Sequence, residues 1–139
     1  MNQETFEAMN EEVFDFLSTH PERLDQDIEV LCQVYNRYAC AAATASREAI
    51  LALKAYKDAL RDARVTLQSS KNPVTGKPYS RDVAEDMAEQ YPEVSDAYSR
   101  YSDLQYQADI LKVHVESIQL KGKLIPGMQG RENRGPAGA

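Results

Sequence analysis

The chain has 139 residues, with 22 acidic against 16 basic side chains and a formal net charge of -6. That is one domain's worth of sequence, and its acidity argues against bulk affinity for nucleic acid while leaving room for one local basic surface. Apolar residues make up 42 %, but tryptophan is absent and only three phenylalanines occur. Much of the apolar content is alanine and tyrosine, so burial per residue is small and self-association would stabilise the fold. Asn2 to Ser18 reads as a first, short helix, with Phe6, Met9, Val13, Phe14 and Leu17 on one side and acidic residues around the rest. Thr19-His20-Pro21 ends it, Thr19 or His20 taking the cap position of the next helix.

Pro21 to Ser70 is the stretch around which the chain is organised. Leu24, Ile28, Leu31, Tyr35, Tyr38, Ala42, Ala45, Ala49, Ala52, Tyr56, Ala59 and Ala63 recur in alternating steps of four and three, a heptad seam with no proline or glycine after Pro21. Fully helical, the segment would span roughly 75 Å. A second apolar stripe, Leu53, Leu60 and Leu67, recurs every seven residues beside the alanines and suits a helix that touches two partners. Residues 71–80 are a loop marked by Asn72-Pro73 and Gly76-Lys77-Pro78. Ser80 then caps a short helix over 81–90. The last helix covers 92–124 on a seam of Val94, Ala97, Tyr101, Leu104, Ala108, Leu111, Val115 and Ile118. Gly122 and Pro126-Gly127 mark its end, and 126–139 reads as a disordered tail.

The fold class expected is all-α: a single domain over 1–125, an elongated antiparallel long-helix hairpin, coiled-coil-like, with short accessory helices and oligomeric. One partner helix cannot cover both the seam and the leucine stripe, which predicts a homo-oligomer above a dimer. Leu53, Leu60 and Leu67 are its candidate contacts.

No nucleophile motif, glycine-rich dinucleotide loop or metal-ligand spacing occurs, so the sequence predicts no enzyme, no cofactor and no metal site. Cys32 and Cys40, with no signal or transmembrane run beside them, read as partly buried thiols of a reducing cytoplasm. The feature above background is a basic row, Arg47, Lys54, Lys57, Arg61 and Arg64, continued by Lys71 and Lys77 in the loop. Its first six members fall on one side of the helix, away from the alanine seam. Such a row could track a nucleic-acid backbone. It could equally pair with Glu93, Asp96, Asp103 and Asp109 of the last helix, or keep the helix solvated. Of the eight tyrosines, Tyr35, Tyr38, Tyr56 and Tyr101 lie on the seams, and Tyr79, beside Lys77, is the candidate to stack on a base.

The run Gly76-Lys77-Pro78-Tyr79-Ser80 between two long helices, then Tyr91-Pro92-Glu93-Val94-Ser95-Asp96-Ala97-Tyr98 leading to Ile118-Gln119-Leu120-Lys121-Gly122-Lys123, resembles small phage recombination mediators of the UvsY-like type. The likeness in layout spans about Ile28 to Leu124. It implies a helical homo-oligomer, in the host cytoplasm if phage-encoded, that binds single-stranded DNA. It also implies a RecA-like recombinase and single-strand-binding protein as partners. On that likeness the basic residues of the long helix and loop become DNA contacts, and Leu111, Val115 and Ile118 of the last helix become oligomerisation candidates. The alternative is a structural coiled-coil or scaffold-like protein that binds only protein, and a small helical chaperone or inhibitor is a third reading. No membrane partner is expected.

Overall fold

The computed structural model describes residues 1–18 and 21–134, with side chains described for 1–18 and 22–124. Among them the chain is all-α, with four helices: α1 (Gln3–Leu17), α2 (Leu24–Gln68), α3 (Arg81–Ala88) and α4 (Pro92–Arg134). A 3-10 turn, Pro21–Arg23, leads into α2. Proline suits this place because its missing N–H is one of the donors a helix start leaves unused. Asn2 caps α1 by accepting from Thr5 N at 2.7 Å, and Ser80 caps α3 by accepting from Val83 N. The predicted Thr19 or His20 cap lies outside the described residues. The long helix predicted over 21–70 is continuous from Leu24 to Gln68.

The helices gather into two compact units, Met1–Ala45 with Gln107–Ala139, and Ser46–Tyr106. In the first, α2 and α4 run antiparallel. Asp27 pairs with Lys121, Tyr35 with Gln119, and Tyr38 meets His114 ring to ring. Helix α1 runs parallel to α4, with Met1 beside Gln107, Asn10 beside His114 and Phe16 beside Lys121. The core between them is Phe6, Val13, Phe16, Tyr38, Ala42, Ala45, Ala108, Leu111 and Ile118. Tyr38 is fully buried, and its hydroxyl donates to Met9 O at 2.8 Å, which satisfies the one polar atom it carries inside.

At the start of α2 the seam turns by one residue. Ile28 is exposed and Asp27 is buried in its place. An α-helix drifts about 20° per heptad against a strict seven-residue repeat, so a seam anchored on the alanines is displaced some turns away. Asp27 meets Lys121 at 2.7 Å, each side chain only 10 % exposed. Lys121 also donates to Phe16 O and lies 4.2 Å from the Phe16 ring centroid, so one ammonium ties together α1, α2 and α4.

Three expectations are corrected here. Helix α4 does not stop near Leu124 but continues through Gly122 and Pro126 to Arg134, and only 135–139 of the predicted tail lie outside the described residues. Gly122 serves close packing rather than termination: a Cβ there would stand 2.9 Å from Leu31 Cδ2. Pro126 leaves the carbonyl of Gly122 without its helical donor. Cys32 and Cys40 are free and exposed rather than partly buried, since both point away from the seam beside them.

In the second unit α3 folds under the end of α2. Leu67, Ala84 and Ala88 form its buried centre, with Leu60, Ala63, Tyr79, Met87 and Tyr91 packed around. The loop before α3 is a tight, hydrogen-bonded turn. Asn72 N donates to Lys77 O and Gly76 N to Asn72 O, both at 2.8 Å, with Gly76 at φ +68 where a side chain would be strained. The only β-type pairing among the described residues is the bridge of Lys71 with Pro78 across this turn.

Two outcomes follow from the first unit. Lys121→Met leaves the Asp27 carboxylate buried without its partner and should cost about 3 kcal/mol in urea unfolding. The double variant Asp27→Leu/Lys121→Met should return to within about 1 kcal/mol of wild type. Burial holds the His114 imidazole below its ordinary pKa of 6.5, and its Nε2–H donates to Asn10 Oδ1 at 2.7 Å. The native state therefore keeps this ring neutral where the unfolded chain takes up a proton. Its contribution is intact above pH 6.5, and stability falls as pH drops through the depressed folded value. Thermal unfolding from pH 7.5 to 5 should show this decline, and His114→Gln should flatten it.

Candidate nucleic-acid interface

All members of the basic row belong to the second unit. Arg47, Lys54, Lys57 and Arg61 are exposed on α2, and Lys71 and Lys77 are exposed on the turn that follows it. Their position follows from helix geometry. With Ala45, Ala49 and Ala52 turned inward, residues seven, three and four apart on the far side come to the surface one above another. Among the described residues, Arg47, Lys54, Lys57, Lys71 and Lys77 form no ion pair. Arg61 is held on its own helix, 3.3 Å from Asp58 and 3.8 Å from Asp62, and no member of the row pairs with Glu93, Asp96 or Asp103. Exposed pairs of this kind are weak and are lost readily to a stronger anion.

Two candidates sit differently. Arg64 is half-buried, and its Nε is enclosed without a hydrogen-bond partner among the described residues. Tyr79 packs against the Leu67, Ala84 and Ala88 core, so only part of its ring is open to stacking. The turn offers Val74 instead, 92 % exposed at its tip between Lys71 and Lys77.

The predicted oligomerisation residues are placed mostly inside the chain. Leu111 and Ile118 are fully buried in the first unit, where Val115 packs beside them. Leu67 is buried in the second, Leu60 packs on it, and Leu53 is half-buried. Helix α3 packs on Leu60 and Leu67 of the stripe that the sequence reading left for another subunit. Leu67, Leu111 and Ile118 are thus used in the packing of the chain itself.

The sequence reading passed over the apolar residues interleaved with the basic row. Ile50, Leu51 and Val65 are 67, 57 and 49 % exposed on the same outer side of α2 as Arg47, Lys54 and Arg61. Their signal was available, because they lie off the alanine seam and off the leucine stripe. Elsewhere in this unit a cavity of about 350 Å³ is lined by Tyr56, Glu89, Val94, Ser95 and Tyr98. Burial raises the Tyr56 pKa, with Glu89, Tyr98 and Glu85 adding to it, and its ring meets Tyr98 edge-on at 5.3 Å. Among the described residues no cluster of three His, Cys, Asp or Glu side chains could hold a metal ion, and no helix is long and apolar enough to cross a membrane.

Comparison with protein families, with curated proteins and with solved structures gives no match.

Since, among the described residues, no ion pair ties Lys54 or Arg61 to another helix, the variant Lys54→Glu/Arg61→Glu should keep its helicity. By urea titration it should unfold within about 1 kcal/mol of wild type.

Proposed function

We propose that the protein is an oligomeric, single-stranded-DNA-binding accessory factor, with its two long helices paired as a coiled-coil-like hairpin and no catalytic role of its own. The observation that carries this reading is the row Arg47, Lys54, Lys57 and Arg61, exposed on one side of α2 in an acidic chain and followed by Lys71 and Lys77 on an ordered turn. Phosphates engage such a row by charge, and the gain is the release of condensed counterions. The interleaved Ile50, Leu51 and Val65 suit the apolar faces of unstacked bases better than a duplex backbone. A few cations per chain give weak binding, which assembly into an oligomer above a dimer multiplies through effective concentration. By its likeness to phage recombination mediators, the protein would act in the host cytoplasm. There it assists a RecA-like recombinase on strands covered by single-strand-binding protein.

The second reading is a scaffold that binds only protein. The same Ile50, Leu51 and Val65 favour it, because exposed apolar residues with a charged rim also make a protein contact.

Fluorescence anisotropy with a labelled oligothymidylate separates the two. The DNA reading expects binding at low salt with little sequence preference, and a slope of log K against log salt of about -3 per subunit. Lys54→Glu/Arg61→Glu should abolish it without changing the assembly. Absence of binding by the wild-type oligomer at low salt leaves the protein-only scaffold as the account.

A further inference from the structure

The outer face of α4 in the first unit carries a second heptad row that the described residues leave largely uncovered. Ile110, Val113, Ser117, Leu120 and Leu124 follow one another in steps of three, four, three and four, the spacing of a and d positions in a coiled coil. Leu111, His114 and Ile118 of the same stretch are buried, so Val113, Leu120 and Leu124 lie on the side of the helix turned away from the core, and Ile110 stands at its edge, packed partly against that core. Val113, Leu120 and Leu124 are each more than half exposed, and Ile110 and Ser117 are half-buried. Phe14 of α1, 65 % exposed, stands edge-on to His114 with ring centroids 6.0 Å apart and widens the strip on that side. Contiguous apolar surface of this kind on a charged helix marks a contact.

We propose that the strip is an interface with a second copy of this chain, α4 lying antiparallel against α4 about a twofold axis. The register argues for a copy of itself rather than an unrelated helix. In an antiparallel pair, a positions of one helix meet d positions of the other. Setting Ile110 opposite the partner subunit's Leu120 also sets Val113 opposite the partner subunit's Ser117, and the reverse pairs follow by symmetry. The row is therefore self-complementary, which an isologous twofold contact requires. A parallel, in-register pair would instead stack serine on serine in the middle of the strip. Charge agrees with the antiparallel choice. Asp109, Glu116 and Lys123 line the edge away from α1 in steps of seven, and the same register brings Asp109 to the partner subunit's Lys123 at both ends. Glu116 meets its counterpart at the centre of that edge, at the solvent-exposed rim where salt screens the repulsion. The inference deepens the assembly part of the functional reading and rests on it, but not on the DNA part.

The test uses the full chain with Cys32→Ser and Cys40→Ser, so that no native thiol competes. Two proteins on this background, one carrying Val113→Cys and the other Ser117→Cys, differ by a mass tag and are mixed under mild oxidation. The antiparallel register predicts the mixed disulfide as the main product and little of either homodisulfide. Predominant homodisulfides, or no cross-linking, overturn it. Sedimentation velocity supplies the second readout. Wild type should run as an even-numbered oligomer above a dimer at micromolar concentration. Leu120→Glu, a substitution at an exposed site, should lose that association while keeping its helical circular dichroism. Leu120→Glu assembling like wild type overturns this interface alone, and wild type remaining monomeric at high micromolar concentration overturns both the interface and the assembly reading.

Discussion

The buried pair of Asp27 and Lys121 is the constraint on which the first unit depends. Two charges that leave water lose several kcal/mol of hydration each, and only close pairing with further hydrogen bonds offsets that loss. Lys121 finds Asp27 on α2, the Phe16 carbonyl at the end of α1 and the Phe16 ring, so the three helices have one arrangement in which the ammonium is satisfied. Apolar packing alone tolerates small slips between helices, and a buried charge does not. The same pair explains why Ile28 surrenders its place on the seam, and why Leu31 can approach α4 closely at Gly122 one residue beyond Lys121. The thin alanine seam then follows as a consequence, because Ala42 and Ala45 allow the close backbone approach that Ala108 and Leu111 complete.

Much of this architecture was legible in the residues. The break at Asn72 to Pro78, the cap at Ser80 and both heptad seams follow from turn chemistry and period alone, since each is decided by neighbours in sequence. What escaped was decided by neighbours in space. Asp27 and Lys121 look like surface charges until α1 is known to close over them. Leu60 and Leu67 look like an open stripe until α3 is known to return beneath them. Gly122 and Pro126 carry the composition of a helix end, yet one is used for close approach and the other is accommodated within α4.

The candidate site was half legible. Row positions from Arg47 to Arg61, together with Lys71 and Lys77, stand exposed as helix geometry implied, whereas Arg64 and Tyr79 are drawn partly into the fold. Ile50, Leu51 and Val65 belong to neither seam nor leucine stripe and stand exposed beside the cations. A surface that mixes spaced cations with apolar side chains is chemically suited to a flexible strand with exposed bases, and less suited to a rigid duplex. Burial separates the two rows of α4, with Leu111 and Ile118 inside and Val113, Leu120 and Leu124 exposed.

We propose that single-stranded DNA lies along the outer side of α2 and the turn after it. Photo-cross-linking of an oligothymidylate to the wild-type protein, followed by mass-spectrometric mapping of the adducts, tests it most directly. The account predicts adducts on peptides from residues 46–80, lost as salt is raised. Adducts confined to α1 or α4, or none at low salt, would contradict it.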